Sequence, residues 1–183
     1  MQVNRFVAVA VAAIVWAIAI PAMAQVMVGG APMYASKDIV DNAVNSKDHT
    51  TLVAAVKAAD LVPTLKGPGP FTVFAPTNTA FAALPAGTVD NLLKPENKAA
   101  LRKVLTYHVV AGKLDSAALT KAVDAGGGKA TLTEVSGGAL TVTRSGSMLM
   151  LTDESGGMAH VTIPDVVQSN GVIHVVDKVL LPK

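Results

Sequence analysis

The sequence predicts an α+β fold, with helices mostly in the first half of the chain and strands mostly in the second. Between residues 36 and 125, apolar residues recur at three- and four-residue spacing, which is typical of helices that bury one face. From residue 129 onward, strand-forming runs alternate with glycine-containing turns, and this pattern favours a mainly antiparallel sheet. One strand, which begins at Phe71, interrupts the helical half.

The first 24 of the 183 residues have the features of a secretory signal peptide. Arg5 precedes an apolar run over residues 6–20, and Ala22 and Ala24 supply the small residues of a cleavage site. The alternative is an uncleaved membrane anchor, but the run is short for a span of ~20 residues. We expect cleavage, a flexible lead over residues 25–35, a single domain over residues 36–183, and no membrane span after cleavage.

Charge and composition argue against several kinds of partner and site. Lys and Arg total 15 against 13 Asp and Glu, so the surface has almost no net charge. Such a surface does not indicate binding to nucleic acid or to an anionic membrane. The chain contains no cysteine, which excludes disulfides and thiolate metal sites. The domain must therefore be stabilised by its core, and a chain of this length can bury enough surface to do so.

Besides the helix expected after Thr77, five helical segments are expected before residue 128. Short polar side chains precede three of them and can cap the free N–H groups of a first turn. The segments are residues 36–44, a helix from Ser46 or Asp48 that Pro63 limits, residues 88–93, a helix from Pro95 through residues 107–110 to Gly112, and a helix capped by Asp115 or Ser116 that ends at the glycines 126–128.

Five strands are expected in the second half of the chain. They cover residues 129–135, 139–144, 147–153, 160–164 and 172–181. The glycines at 137–138, 146 and 156–157 lie between the first four of them and suit hairpin turns. Within residues 140–143, apolar and polar side chains alternate, which predicts one buried and one solvated face.

The segment of residues 71–81 contains three of the four phenylalanines of the chain. It begins as a strand, Pro76 ends the strand, and Thr77 or Asn78 can cap the helix that follows. Aromatic rings contribute much of the burial in a protein core. We therefore expect the fold to be built against this segment.

Three motifs in this order resemble those of fasciclin (FAS1) domains. The first lies in residues 72–81 and includes Phe74, Ala75, Pro76, Thr77, Asn78 and Phe81. The last lies in residues 170–182 and includes Asn170, Gly171, His174 and Asp177. The pair Tyr107-His108 lies between them, as the Tyr-His motif does in the family. The resemblance covers about residues 36–182 and identifies the chain as similar to bacterial single-domain, secreted members.

The resemblance implies a wedge-shaped antiparallel β-sandwich decorated by several short helices, in which the residues of the two outer motifs are structural. It also implies a secreted, non-enzymatic module, periplasmic or extracellular, that mediates cell–cell, biofilm or host-surface contact. The implied partner is a protein or a surface glycan on cells or matrix. A weak homodimer is a further expectation, because a single domain needs a second site to bridge two surfaces.

Two pairs of residues are candidates for partner contact by the same resemblance. Tyr107 and His108 correspond to a motif implicated in adhesion by animal relatives, but His108 shares a helical stripe with apolar residues, which favours a structural role. Asp165 and Val166 stand where animal fasciclin domains have an Asp-Ile adhesion motif. The structural alternative for Asp165 is an acid at a strand edge that caps a turn.

The sequence contains no recognisable catalytic, cofactor or metal motif. The four histidines are not spaced as metal ligands, and no nucleophile elbow or phosphate loop is present. A carrier of a small apolar ligand is the alternative function, because Met148, Met150 and Met158 could line an adaptable pocket. We otherwise expect Met148 and Met150 to lie in the core on one face of their strand, with Leu149 and Leu151 packed under helices on the other. A hydrolase would require a pocket that joins His108 or His174 to an acid and a serine.

Overall fold

The computed structural model describes residues 25–183, so the predicted signal peptide, residues 1–24, lies outside the described residues. The described part contains seven α-helices and nine strands. The helices are α1 Ile39–Ala43, α2 Thr50–Ala58, α3 Val62–Leu65, α4 Asn78–Ala82, α5 Thr88–Leu92, α6 Lys98–Tyr107 and α7 Ser116–Ala125. The strands are β1 Met27–Val28, β2 Ala31–Pro32, β3 Phe71–Pro76, β4 Val109–Ala111, β5 Lys129–Thr133, β6 Ala139–Ser145, β7 Met148–Thr152, β8 Met158–Gln168 and β9 Gly171–Val176.

Seven of the strands form one sheet, in the order β4-β3-β9-β8-β7-β6-β5. Every neighbouring pair is antiparallel except β3 and β9, which are parallel. An isolated antiparallel bridge between Val110 and Glu134 joins the β4 edge to the end of β5, so the sheet curls back on itself. The predicted α+β class, with early helices and late strands, is confirmed.

Two apolar clusters lie on opposite faces of β3 and β9. Val73 and Ala75 of β3 face the helices of the first half, together with Ile173 of β9. Phe74 faces the inside of the curled sheet, where α7 contributes Leu119. Both central strands are therefore buried on both faces, which explains why their sequences are almost continuously apolar.

The close approach of β3 and β9 requires a glycine at position 171. Phe71 pairs with Gly171 at the start of the parallel ladder. A Cβ atom at Gly171 would lie 2.0 Å from the Phe71 carbonyl oxygen, a distance that no side chain can tolerate. The last family motif thus contributes a backbone contact that brings the two outer motifs together.

The helix predicted from Pro95 to Gly112 is shorter than expected. A 3-10 turn at Pro95–Asn97 precedes α6, α6 ends at Tyr107, and Val109–Ala111 forms β4. The prediction of helix through residues 109–112 is wrong, because the β-branched Val109 and Val110 pair with β3 in an antiparallel ladder. His108 is the residue at which the helix changes into the strand.

Three other boundaries differ from the sequence-based expectation. The last strand, expected to reach residue 181, ends at Val176. Pro63 lies in the first turn of a separate helix, α3, where the absence of its N–H costs no hydrogen bond. Strand β8 extends well beyond Pro164 to Gln168, and its register with β9 shifts between Ile163 and Val166. Such a bulge bends a strand and redirects its side chains.

The segment expected as a flexible lead, residues 25–35, contains the hairpin of β1 and β2. Val28 and Met33 are buried in the helical core, and the Lys47 N–H donates to the Gly29 carbonyl oxygen. The structure therefore differs from the expectation, because two apolar side chains are enough to dock this short hairpin on the domain.

Candidate functional site

Tyr107 is fully buried inside the curled sheet, at 0% exposure. Its hydroxyl donates to the Ala139 carbonyl oxygen at 2.9 Å and accepts from the Glu154 N–H at 3.1 Å. Burial is the main cause that raises the pKa of this phenol. Of the two roles considered for Tyr107, these contacts support the structural one, since its side chain joins α6 to two turns of the sheet.

His108 is buried between the helices and the C-terminal segment, with 2% exposure. Its Nδ1–H donates to the Val104 carbonyl oxygen at 2.8 Å, and its Nε2 accepts from the Leu180 N–H at 3.0 Å. Burial lowers the pKa of the imidazole to about 4. The ring is thus neutral at pH 7 and has no free nitrogen, which supports the structural role for His108 as well.

Asp165 and His174 meet the start of α7. The Asp165 Oδ1 accepts from the Ser116 N–H at 2.6 Å, and its other carboxylate oxygen accepts from the Ser116 hydroxyl. The His174 Nδ1 accepts from the Asp165 N–H at 3.3 Å, and its Nε2–H donates to the Leu114 carbonyl oxygen at 2.7 Å. Asp165 therefore holds the first residue of α7 against β8, which differs from the capped turn of the structural alternative.

The backbone of Asp165 is in a left-handed conformation, with φ of 58°. Residues with a Cβ seldom adopt it, and such strain is retained only where surrounding contacts fix it. The bulge in β8 creates this conformation and leaves Asp165 half-buried at the surface, whereas Val166 points into the core at 1% exposure. Of the two candidate pairs, only Asp165 has a side chain that reaches the surface.

A surface cleft of about 290 Å³ lies beside Asp165, between α7, β7 and β8. Four hydroxyl side chains and four apolar side chains line it, and Met148 at its edge is 49% exposed. The residues that carry the cleft are Ser116, Thr120, Ser147, Met148, Thr162 and Pro164. Hydroxyl groups next to apolar surface can bind ligands that are themselves part polar and part apolar.

The outer motif residues connect elements that are distant in sequence. The Asn170 Oδ1 accepts from the Ile39 N–H, and its Nδ2 donates to the carbonyl oxygens of Leu65 and Gly67. Asn78 also connects elements distant in sequence, because its Oδ1 accepts from the Thr51 N–H at the start of α2 at 3.0 Å.

Three further motif residues have local contacts. The Thr77 hydroxyl caps α4 by accepting from the Ala80 N–H. The Asp177 Oδ1 accepts from the His160 N–H at 2.7 Å. The ring of Phe74 stacks on the buried imidazole of His174, with 5.6 Å between the ring centroids.

The geometry does not form a catalytic pair. Ser116, Asp165 and His174 are neighbours, but the serine hydroxyl donates to the carboxylate and both imidazole nitrogens bind backbone groups. A nucleophile would need its hydroxyl on a basic nitrogen. Within residues 25–183, no group of three or more His, Asp or Glu side chains is placed to hold a metal ion.

Two apolar cavities between the helices and the sheet have volumes of about 40 and 30 Å³. A cavity that binds benzene has a volume of ~150 Å³, so these hold nothing of drug size. The expectation that Met148 and Met150 lie in the core is wrong, because the alternation of β7 buries Leu149 and Leu151 instead. Met148 and Met158 are about half exposed and do not line a closed pocket.

Ser116 and the other cleft hydroxyls were missed by sequence analysis. The sequence indicates Ser116 only as an alternative to Asp115 for the helix cap, and the cap in the structure is Asp115, whose Oδ1 accepts from the Ala118 N–H. Ser116 and Asp165 are 49 residues apart, and no local pattern indicates that they meet. Among residues 25–183, the structure shows no helix that is both long and apolar enough to cross a membrane.

Comparison with known proteins identifies relatives over most of the chain. Protein sll1483 of Synechocystis sp. is 51% identical over 79% of this chain and 73% of its own length. Immunogenic protein MPB70 of Mycobacterium bovis is 35% identical over 98% of this chain and 94% of its own length.

A solved structure shares the fold. It is that of an FAS1 domain pair from the insect cell adhesion molecule Fasciclin I, which aligns with a TM-score of 0.71 and 17% identity over 79% of this chain and 51% of that one. The sequence model of the Fasciclin domain matches residues 47–182. The motifs, the curled sheet and these similarities lead to one conclusion: the chain belongs to the fasciclin domain family.

Proposed function

We propose that the protein is a secreted, non-enzymatic interaction module that attaches its cell to other cells, to a biofilm or to a host surface. The observation that carries the proposal is the cleft beside Asp165, where α7, β7 and the bulged strand β8 present hydroxyl and apolar side chains together. Membership of the fasciclin family supports it, since a structural relative belongs to a cell adhesion molecule. The apparent signal peptide supports secretion to the periplasm or the medium.

The partner we propose is a protein or a glycan on a cell or matrix surface, bound in the cleft. Exposed hydroxyls of Ser147 and Thr162 can exchange hydrogen bonds with sugar hydroxyls or peptide groups, while Met148 offers apolar contact. Asp165 fixes the wall of the cleft through Ser116. In this proposal Tyr107 and His108 act indirectly, because they hold the scaffold from inside.

An attachment assay tests the proposal in the native host. We expect deletion of the gene to reduce attachment and wild-type protein to restore it. Thr162→Arg places a long side chain across the cleft and should fail to restore it. Thr131→Arg is the matched control, since Thr131 is also an exposed strand threonine but lies on β5, away from the cleft. Equal attachment with both variants would contradict the cleft as the contact site.

The alternative, a carrier of a small apolar ligand, is not supported by the two apolar cavities described above, which are too small for such a ligand. Native mass spectrometry of protein isolated from its host separates the two functions. A bare protein supports the interaction module, and a mass excess of a few hundred daltons that is lost on denaturation supports the carrier. The same spectrum reports the weak homodimer that would let one domain bridge two surfaces.

A further inference from the structure

Strands β7 and β8 present a group of soft side chains on the outer face of the sheet. Their inner face contributes four residues to the core of the curled sheet, namely Leu149, Leu151, Ala159 and Val161. Because side chains alternate along a strand, the residues between these lie on the outer face. Among them are two pairs with a spacing of two residues, Met148 and Met150 on β7 and Met158 and His160 on β8.

The register of the two strands brings these pairs together. Met150 and His160 are direct partners in the antiparallel ladder, and Met158, which pairs with Thr152, is diagonal to Met150. Direct partners have Cβ atoms ~4.5–5.5 Å apart, and diagonal neighbours are within ~8 Å. Met148 lies two residues before Met150 on the same face. Three thioether side chains therefore surround one imidazole.

Asp177 fixes the orientation and the tautomer of that imidazole. Its carboxylate accepts from the His160 backbone N–H at 2.7 Å and from the ring Nδ1–H at 3.0 Å. An ionised carboxylate can only accept, so the neutral ring has its proton on Nδ1 and its lone pair on Nε2. Among the hydrogen bonds of residues 25–183, none uses this Nε2, and the side chain is 37% exposed. Metal-ligating histidines are usually held by a carboxylate or carbonyl in the same way.

We propose that Met150 and His160, with Met148 and Met158 beside them, bind a single Cu(I) ion. Thioether sulfur is a soft ligand that selects Cu(I), and imidazole also suits copper, whereas Mg²⁺ and Ca²⁺ prefer oxygen ligands. The four ligands are neutral, and the Asp177 carboxylate behind the imidazole balances the single positive charge of the ion. Each thioether is on an unbranched side chain with three rotatable bonds, so the sulfur atoms can converge on the ion at the His160 Nε2.

The site is open to solvent and is distinct from the attachment proposal. Met148 and Met158 are 49% and 51% exposed, which gives the ion a path of entry. Met148 also borders the cleft beside Asp165, but Met150, Met158 and His160 are not among the residues that line it. Sequence spacing does not reveal the site, because three of its ligands are methionines and the four come from two strands.

Competition for Cu(I) under anaerobic conditions tests the site without any partner surface. The purified secreted protein is titrated into the coloured Cu(I)–bicinchoninate complex, and loss of colour reports transfer of the ion. We expect wild type to withdraw one equivalent, and Met150→Leu and His160→Leu to bind at least tenfold more weakly. Met27→Leu is the matched control, since Met27 is 55% exposed but lies on β1. Absence of transfer to wild type, or equal binding by all four proteins, would overturn the proposal.

NMR with Ag(I), a soft ion that undergoes no redox change here, identifies the ligands directly. We expect one equivalent to shift the His160 Nε2 signal and the methyl signals of the three methionines of the site, and to leave the methyl signal of Met27 unchanged. Equal shifts of Met27 and Met150 would show adventitious binding to thioethers only, and they would refute the site.

Asp177→Asn tests the carboxylate as a positioning residue. The variant keeps the size of the side chain but removes the charge that holds the proton on Nδ1. We expect about 10–100-fold weaker binding of Cu(I) and a loss of the dominant Nδ1–H tautomer of His160 in long-range 15N spectra. Wild-type affinity for Cu(I) in this variant would contradict the role of Asp177.

Discussion

At the scale of single residues, the buried polar side chains of the family motifs bind backbone groups and leave little for a partner. His108 satisfies the Val104 carbonyl at the end of α6 and the Leu180 N–H in the C-terminal segment. Sequence periodicity could place His108 on the buried face of a helix, but it could not show that the helix ends there or that Leu180 supplies the second contact.

Replacement of His108 by leucine tests this role. His108→Leu keeps the apolar packing but leaves the Val104 carbonyl oxygen and the Leu180 N–H without partners in the core. Each such group costs about 1–3 kcal/mol, so we expect about 2–5 kcal/mol less stability in denaturant unfolding. The control His160→Leu removes a partly exposed contact with Asp177 and should cost less than about 1 kcal/mol. Equal losses in the two variants would contradict the buried role.

The same residue offers a direct spectroscopic measurement. We expect the imidazole of His108 to be the Nδ1–H tautomer at pH 7, with a titration midpoint at about 4. Long-range 15N NMR of the imidazole nitrogens reports both properties. A midpoint near 6.5 would show that His108 is accessible to water and open to a partner.

At the scale of elements, the hydrophobic pattern of the sequence predicts most of the helices and strands. The errors of the sequence-based prediction arise where segments distant in sequence pair or pack together. Residues 109–111 continue an apolar run from α6. They form a strand because they pair with β3, which lies more than thirty residues earlier in the sequence. The glycines and the proline of residues 25–35 predict a linker. The local sequence gives no sign of the core in which Val28 and Met33 are buried.

Asn170 connects elements that are distant in sequence, and its replacement tests how much such contacts contribute to stability. Asn170→Ala removes three hydrogen bonds, to α1, to the end of α3 and to the turn that follows it. At about 1 kcal/mol for each bond we expect a loss of about 3 kcal/mol in chemical denaturation. Asn97→Ala, whose exposed side chain binds only Asn91, should lose less than about 1 kcal/mol. A smaller loss for Asn170→Ala than for the control would refute this role.

At the scale of the whole molecule, the buried histidines make the fold sensitive to acid. Burial lowers the pKa values of His49, His108 and His174, so the unfolded chain binds protons that the folded protein does not. Their contribution is fully present above the unfolded pKa of about 6.5 and is lost as pH falls through the lower folded values.

We expect the free energy of unfolding to decrease when the pH falls from 7 to 4. For His108 alone, a pKa of about 4 in the folded state corresponds to a loss of up to about 3 kcal/mol. Denaturant unfolding at several pH values, with proton uptake measured at the midpoint, checks the sign and the size. Stability that is constant or increases over this range would contradict the burial of the three rings.

The sequence predicted the fold class and family of the whole molecule, because the two outer motifs form the central strands β3 and β9 and the turns that begin or end them. The cleft could not be predicted in the same way. Ser116, Thr162 and Met148 come from three elements, and they line one cleft only in the folded protein. A surface of this kind leaves no local pattern of spacing or periodicity.

We expect the cleft beside Asp165 to bind a partner on a cell or matrix surface. The most direct measurement is a binding isotherm of the purified, labelled protein on intact cells of its own host, with wild type, Thr162→Arg and Thr131→Arg compared at equal folded concentration. We expect saturable binding for wild type and Thr131→Arg and at least a tenfold weaker apparent affinity for Thr162→Arg, equivalent to about 1.4 kcal/mol. Absence of saturable binding, or equal affinity of all three proteins, would contradict it.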